Sequence, residues 1–211
     1  MEILKNFVVF EGIDGSGTTT QLKLLEDKIK PPLPFYRTYE PTDSIIGKII
    51  RSGLRKEADF DPKTLAYLFA ADRNEHIFGE NGVAKRCNAG TLVVSDRYFP
   101  SSLVYQGLSC GKELPELLNR HFPLPELLFF FDIDPKIAEE RMTDRPFKEI
   151  FEYLDFQKEA RALYKEVLHK LSLEGTKLII IDASLPVEEI ALLVWKEMEK
   201  MPIFNISNGQ E

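Results

Sequence analysis

The sequence predicts an α/β fold of three layers, in which a central five-stranded parallel sheet is flanked by helices. The short apolar runs are continuous rather than alternating, which is typical of strands buried on both faces of a parallel sheet. Long helical patterns separate these runs, and this alternation of strand and helix indicates a doubly wound sheet. No repeat or linker divides the chain. We therefore expect a single domain over residues 1–204, with a frayed tail at 205–211.

Each element has its own signal in the chain. The predicted strands, in order, are Phe7–Phe10, Phe35–Tyr39, Leu92–Val94, Leu127–Phe131 and Leu178–Ile181. The second of these is more polar than the others and follows a proline-rich breaker. Helices are predicted at Thr18–Lys30, from Asp61 to about His76, from Pro135, over Phe151–Leu173 and from Pro186. An Asp-Pro pair, as at 61–62, is a good cap and first turn for a helix.

Residues 11–20 form a glycine-rich loop between the first strand and the first helix. Such a loop aims backbone N–H groups and the helix dipole at one point, which makes an anion site. The spacing from Gly12 to Gly17 is that of the Walker A motif, whose metal-binding hydroxyl then falls on Thr19. A turn without a ligand is the alternative. The loop predicts ATP contacts at Gly12, Asp14, Gly15, Ser16, Gly17, Thr18, Thr19 and Thr20.

Thr18 occupies the position that is lysine in the Walker A motif. That lysine supplies a full positive charge to the β- and γ-phosphates, whereas threonine offers only a hydroxyl. The loss of one such preorganised donor costs about 10²–10³ in rate. Either another cation replaces the charge, or the protein is slow or inactive. The sequence leaves both possibilities open.

Composition excludes several other classes of protein. A formal charge of −7 argues against a nucleic-acid partner, which requires a basic face. The two cysteines, Cys87 and Cys110, are too few for a disulfide framework or a structural zinc site. The start of the chain has no signal-peptide pattern, and no apolar run is long enough to span a membrane. We expect a cytoplasmic protein with no membrane partner.

Further motifs follow the loop, and in chain order they are Glu40-Pro41, Phe69 to Arg73, Asp96-Arg97-Tyr98 continuing to Gly107, an arginine-bearing segment, and Ile181-Asp182-Ala183. Together with the glycine loop they resemble the thymidylate kinase family of P-loop nucleoside monophosphate kinases, over nearly the whole chain. The resemblance implies the P-loop kinase fold and Mg²⁺-dependent transfer of the ATP γ-phosphoryl group to dTMP, giving dTDP. It also implies a homodimer.

The resemblance assigns the acceptor side of the site. Phe69 would stack on the thymine ring and Arg73 would hydrogen-bond its edge, since the two residues share one helix face. Tyr105 would lie against the sugar and exclude a ribose hydroxyl. Asp14 would approach the 3′-hydroxyl and the metal site. The other expected substrate contacts are Glu40, Ser101, Ser102 and Gln106. Without the resemblance, Phe69 and Arg73 would be read as ordinary packing and a surface cation.

Asp96 and Arg97 end the strand that begins at Leu92. A carboxylate at the carboxyl end of a parallel strand is where α/β folds place ligand chemistry. Asp96 resembles a Walker B acid, so Asp96 and Thr19 are the expected Mg²⁺ ligands. Arg97 resembles the residue that neutralises the acceptor phosphate, because its planar fork suits phosphate oxygens. The alternative is a solvated acid–base pair that closes a strand.

The segment at about 141–150 is rich in cations and resembles a small lid. Arg141 and Arg145 match, by position, arginines that one subgroup of the family brings over the ATP phosphates. Our hypothesis is that one of them supplies the charge that Thr18 lacks. The alternative is a solvated helix end whose cations complement the dipole. Asp182, in the loop after the last strand, is expected beside the adenine.

A second departure from the family lies before Glu40. Many relatives have arginine immediately before the Glu-Pro pair, and this chain has Tyr39 there. Arg37 is two residues earlier, on the same face of the predicted strand. We expect Arg37 to replace the missing phosphate contact.

Two other functions compete with dTMP phosphorylation. A deoxynucleoside kinase would share the glycine loop and the Asp-Arg pair, and it would use a carboxylate such as Glu40 to deprotonate a 5′-hydroxyl. A degenerate, non-catalytic nucleotide-binding protein is the second alternative, and Thr18 is its main support.

Overall fold

The computed structural model describes residues 2–142 and 150–207. Its strands are β1 Ile3–Gly12, β2 Phe35–Tyr39, β3 Leu92–Asp96, β4 Leu124–Asp132 and β5 Lys177–Asp182. Its helices are α1 Thr18–Lys28, α2 Ile45–Leu54, α3 Pro62–Phe78, α4 Val83–Asn88, α5 Phe99–Cys110, α6 Glu113–Asn119, α7 Pro135–Arg141, α8 Leu154–Leu173, α9 Val187–Met198 and α10 Pro202–Ser207.

The five strands form one parallel sheet in the order β2-β3-β1-β4-β5, flanked by helices, which confirms the predicted fold class. The glycine-loop strand β1 lies at the centre. Phe10 of β1 is in register with Asp96 of β3, and the N–H of Arg97 donates to the Phe10 carbonyl at 2.9 Å. The carboxyl ends of these two strands therefore bring the glycine loop and the Asp-Arg pair to the same edge of the sheet.

Burial matches the continuous apolar runs in the central strands. The side chains of Phe7 to Phe10 in β1 and of Leu92 to Val94 in β3 are fully buried. The edge strand β5 differs, because Ile180 is 61% exposed although its run is equally apolar. A continuous apolar run thus identified the strand correctly but overstated its burial on one face.

Several helices lie where the sequence pattern is weaker, and α2 is the most consequential of them for the site. The Ser44 side chain caps α2 by accepting from the Gly47 N–H at 3.0 Å. A Cβ at Gly47 would lie 1.8 Å from the Thr42 carbonyl oxygen, so this turn of the helix must be glycine to pack on the preceding loop. Glycine inside a helix usually weakens the helical pattern, which hides α2 in the sequence.

Two predicted segments are only partly described. Arg141 ends α7, and Arg145 lies outside the described residues, as do the others from 143 to 149. The predicted tail at 205–211 begins inside α10, which continues to Ser207, and residues 208–211 are outside the described part of the chain.

Candidate active site

The glycine loop is shaped by backbone conformations that favour glycine. Gly15 and Gly17 have φ angles of 81° and 90°, in the left-handed region. A Cβ on Gly15 would lie 2.5 Å from the Ala138 carbonyl oxygen of α7, so there is no room for a side chain. Gly17 is the N-cap of α1 and offers no capping side chain. The first N–H groups of α1 are therefore available to an anion.

A large cavity of about 670 Å³ opens in front of the loop. Its wall includes the loop residues 13–20, Asp96, Leu185, Val187 and Ile190. Of the residues predicted to bind ATP, Gly12 and Asp182 are not on this wall. Thr18, at the lysine position, is 8% exposed, whereas Thr19 and Thr20 are exposed. The cations on the wall are Arg37, Arg51, Arg97 and Arg141.

Thr19 and Asp96 lie together, as their predicted role requires. The Thr19 hydroxyl donates to Asp96 Oδ2 at 2.5 Å, while Asp96 Oδ1 is buried and has no partner among the described residues. Buried carboxylate oxygens normally have partners, so the unpaired Oδ1, on the same carboxylate that accepts from Thr19, is a place where a cation would be stabilised. A carboxylate and a hydroxyl are hard oxygen donors of the kind that Mg²⁺ uses together with phosphate oxygens. The residues therefore fit Mg²⁺.

Arg97 joins the two sides of the site. Its φ of 72° is unusual for a residue other than glycine, and such strained backbone is common at functional sites. The guanidinium donates to Asp14 Oδ1 at 2.6 Å and to the Gly12 carbonyl at 3.0 Å. It also approaches the hydroxyls of Ser101 and Tyr164, at 3.2 and 3.3 Å. These acceptors fix the guanidinium between the ATP-side cavity and the second cavity described below.

Glu11, which sequence reasoning missed, lies fully buried beneath Arg97. Its carboxylate accepts from the Ser101 hydroxyl at 2.7 Å, the Tyr164 hydroxyl at 2.9 Å and the Tyr98 N–H at 2.9 Å. Burial raises the pKa of Glu11 to about 7, against the opposing effect of the Arg97 charge and the hydrogen bonds. Because α5 has no cap of its own, Glu11 caps the start of this helix from β1.

A second, smaller cavity of about 110 Å³ adjoins the first. Asp14 and Arg97 border both cavities, so the two form one continuous site. Its wall brings together the residues predicted to bind the acceptor base and sugar, which are Phe69, Arg73, Ser101, Ser102, Tyr105 and Gln106, with Glu40. The Tyr105 hydroxyl donates to Asp14 Oδ2 at 3.2 Å, and the Tyr105 ring meets Phe151 edge-on at 5.4 Å.

Arg73 is 1% exposed and is held by a group of acceptors. Its Nε donates to Glu40 Oε2 at 2.8 Å, and Nη2 lies 2.8 Å from the same oxygen. Nη2 also donates to Ser102 Oγ at 3.0 Å, and Nη1 donates to Asn119 Oδ1 at 2.6 Å. The other Glu40 oxygen contacts His76 Nδ1 at 2.9 Å. We call this group the arginine clamp, consisting of Arg73, Glu40, Ser102, Asn119 and His76.

Arg51 is a further cation that the sequence did not single out. It donates to the carbonyls of Thr42 and Pro41, at 2.6 and 3.1 Å, and to Asp43 at 2.8 Å. The predicted substitute, Arg37, instead pairs with Glu26 of α1 at 2.9 Å, and both arginines border the larger cavity. Arg51 lies on α2, whose helical pattern was obscured by its two glycines, so no signal placed it at the site.

Two predicted ATP-side residues lie near the loop after β5. Arg141 donates to the Ala183 carbonyl at 2.9 Å, which ties the end of α7 to this loop. The exposed Asp182 carboxylate accepts from the N–H and hydroxyl of Ser184, at 2.9 and 2.6 Å. Asp182 therefore shapes the turn that leads to Leu185, which borders the larger cavity.

Gln157 was also missed by sequence reasoning. Its amide donates to Asp14 Oδ2 at 2.8 Å and to the Phe151 carbonyl at 2.6 Å, so the first turn of α8 is tied to the glycine loop. No group of three or more metal-ligating His, Cys, Asp or Glu side chains occurs in residues 2–142 and 150–207. No helix within these ranges is long and apolar enough to cross a membrane.

The central strand, the glycine loop at a helix start and the acid on the adjacent strand define a P-loop protein. The family model for thymidylate kinase matches residues 10–193. A "Putative thymidylate kinase" of Treponema pallidum is 43% identical over 193 residues, which cover 90% of this chain and 93% of the relative. A "Probable thymidylate kinase" of Pyrobaculum aerophilum is 40% identical over 186 residues, 88% of this chain and 92% of the relative. The chain belongs to the thymidylate kinase family.

Proposed function

We propose that the protein phosphorylates dTMP with ATP in a Mg²⁺-dependent reaction, giving dTDP and ADP. The observation that supports this most strongly is the pair of adjoining cavities. One lies at the glycine loop and the other carries the base-reading residues, with Arg97 between them. An oxygen of the dTMP phosphate attacks the ATP γ-phosphorus, and the bond from that phosphorus to the β–γ bridging oxygen breaks. Phosphate oxygens are already nucleophilic, so positioning and electrostatics supply most of the acceleration.

On the ATP side, the N–H groups of the loop bind the phosphates. Thr19 and Asp96 would hold Mg²⁺, which neutralises charge on the β- and γ-phosphates. The cation that replaces the lysine missing at Thr18 would come from Arg141 or Arg145. Arg141 borders the cavity but contacts the Ala183 carbonyl, so it would have to exchange that carbonyl for phosphate oxygens.

On the acceptor side, Phe69 stacks on the base and Arg73 donates to a base carbonyl. Arg97 neutralises the acceptor phosphate, with Arg51 or Arg37 as a second cation. Tyr105, held against Asp14, excludes a ribose 2′-hydroxyl, while Asp14 approaches the 3′-hydroxyl. Gln106 and Ser101 complete the wall of the cavity.

The clamp disfavours a deoxynucleoside kinase. That reaction needs a free carboxylate near the 5′-hydroxyl, and Glu40 was the candidate. Both Glu40 oxygens are engaged, one by Arg73 and the other by His76, and the residue is 6% exposed. Glu40 is therefore suited to holding Arg73 rather than to abstracting a proton. The family relationship also favours the dTMP kinase over a non-catalytic homologue.

The test is product formation from Mg·ATP and dTMP by the purified protein, with dUMP, dCMP, dGMP and thymidine in parallel. We expect dTDP to form from dTMP far faster than product forms from the other acceptors. Faster phosphorylation of thymidine would overturn the proposal in favour of a deoxynucleoside kinase. No turnover with any acceptor, despite measurable dTMP binding, would favour the non-catalytic alternative.

We also propose a cytoplasmic homodimer. Large apolar side chains are exposed on two helices that pack against each other, with Ile45 79% exposed on α2 and Tyr67 and Phe78 about half exposed on α3. Single scattered apolar side chains are ordinary, but a set on neighbouring helices is typical of a protein interface. Light scattering after gel filtration tests the dimer, and Tyr67→Glu should shift the protein toward monomer.

A further inference from the structure

Asn119 lies behind the base-reading arginine, outside the motifs that define the family resemblance. It ends α6 and is 3% exposed. Its Nδ2 donates to the Pro115 carbonyl at 2.8 Å, one turn earlier in the same helix. Since a carbonyl can only accept, this contact fixes which end of the amide is nitrogen. Oδ1 must then point at Arg73, which can only donate, and it lies 2.6 Å from Nη1.

The contacts of Arg73 account for four of its N–H bonds. A guanidinium has five N–H donors in a fixed fork. Glu40 Oε2 faces the N–H bonds of Nε and Nη2, Ser102 faces the second N–H of Nη2, and Asn119 faces one N–H of Nη1. The remaining Nη1 N–H has no acceptor among residues 2–142 and 150–207, and Arg73 borders the smaller cavity.

We infer that Asn119 is a positioning residue for base selection, resting on the function proposed above. By occupying one N–H of Nη1, Asn119 leaves a single donor directed at the acceptor base. A single fixed donor matches a 4-oxo pyrimidine, which presents a carbonyl oxygen. It disfavours a 4-amino pyrimidine, which presents N–H groups of its own, because two donors facing each other leave both unpaired.

The experiment compares dTMP with dCMP in wild type and in Asn119→Leu, which has a similar volume and no acceptor. Without Oδ1 the guanidinium can tilt, so the hydrogen bond to the base carbonyl weakens while dCMP loses nothing. We expect kcat/KM for dTMP to fall about tenfold and that for dCMP to change by less than about threefold. A structural defect would lower both values by the same factor.

Two further variants make the test specific. Asn119→Asp keeps an acceptor oxygen and should retain the dTMP preference within about threefold of wild type. Asn88→Leu replaces an exposed asparagine at the end of α4 and should change neither substrate. Should Asn119→Leu fail to fold, Asn119→Ser, whose hydroxyl is too short to reach both partners, is expected to show the same loss of preference.

Equal losses for dTMP and dCMP in the Leu or Ser variant, or an unchanged preference, would overturn the inference. So would an Asp variant as unselective as the Leu variant. Calorimetric Kd values for dTMP and dCMP separate this result from the proposed function, because they need no turnover. Wild type that binds dTMP selectively but transfers no phosphoryl group would refute the kinase proposal and leave the role of Asn119 testable by binding alone.

Discussion

The two cavities of the site are prepared to different degrees. At the smaller cavity, which we propose binds the acceptor, the guanidinium of Arg73 is held by Glu40, Ser102 and Asn119, and that of Arg97 is held by Asp14 and a backbone carbonyl. At the glycine loop, the donors are backbone N–H groups and hydroxyls. The nearby cation Arg141, which ends α7 and belongs to the predicted lid, contacts a carbonyl of the loop after β5.

This difference indicates that the smaller cavity and the glycine loop have different tasks, which are acceptor selection and stabilisation of the transferred phosphoryl group. In our proposal the fixed donors select the acceptor, because orienting them costs no further free energy when the acceptor binds. Positive charge at the γ-phosphate accelerates transfer when it acts more strongly in the transition state, and in our proposal the arginines of the predicted lid supply that charge. The chain can thus lack the loop lysine while retaining a fully formed acceptor cavity.

The largest effect is expected at Arg97, which both cavities share. Arg97→Met removes the cation that we propose neutralises the acceptor phosphate, and it leaves Asp14 and Glu11 without their charge partner. We expect kcat/KM for dTMP to fall about 10³-fold. Steady-state assays measure this, with Arg120→Met at an exposed position of the chain as the control. A fall of less than tenfold would mean that Arg97 is not between the reacting phosphates.

The lid arginines should affect transfer and not acceptor binding. Arg145→Ala or Arg141→Ala is expected to lower kcat about 10²–10³-fold, with the dTMP Kd changed less than about twofold. Adding Thr18→Lys to the impaired variant should then restore part of kcat, because the charge returns from the loop. Full rate in both single variants would contradict the division between a fixed acceptor side and a lid-dependent ATP side.

Glu11 should make stability depend on pH. Its pKa is raised in the folded protein to about 7 from 4.5, so the folded state binds this proton more tightly than the unfolded state. Its contribution is fully present below about pH 4.5 and is lost as pH rises toward 7, by at most about 3 kcal/mol. The charged neighbour is Arg97, and Tyr98, Tyr105 and Tyr164 are the other titratable groups near it.

Urea unfolding at pH 5 and pH 7 measures this effect. Glu11→Gln should remove most of the difference in unfolding free energy between the two pH values, and Glu57→Gln at an exposed position should leave it unchanged. An identical difference in wild type and Glu11→Gln would show that Glu11 does not titrate in this interval.

The smallest effect distinguishes Arg51 from Arg37, the two arginines that are candidates for a second contact with the acceptor phosphate. Arg51 is anchored to the carbonyls of Pro41 and Thr42, whereas Arg37 is paired with Glu26 across the surface. Arg51→Ala should raise KM for dTMP about tenfold, and Arg37→Ala by less than about threefold. The reverse order would support Arg37 as the replacement for the family arginine.

Much of the ATP side could be predicted from the sequence, because Gly12 to Thr20 are consecutive and form the loop by themselves. The motif positions of the acceptor side could also be predicted, and the structure brings Phe69, Arg73 and Tyr105 to one cavity. These residues remain predictions in their roles, although their proximity is observed.

The supporting residues could not be predicted. Glu11 belongs to a residue type that is rarely buried, yet it is fully buried at the end of β1. Asn119 and Gln157 reach the site from helices remote in sequence, and Arg51 lies on a helix with two glycines. Contacts across 46 to 143 residues depend on how helices pack on the sheet, and no local pattern carries that information.

The contact between Gly15 and the Ala138 carbonyl has a mechanical consequence. The glycine loop lies against the backbone of α7, the helix that leads into the predicted lid, and Gly15 itself adds no side chain at this point. A displacement of α7 would therefore move the backbone of the glycine loop as well. The methyl group of Gly15→Ala would clash with the Ala138 carbonyl and separate the glycine loop from α7. One substitution would then disturb both the loop and the predicted lid.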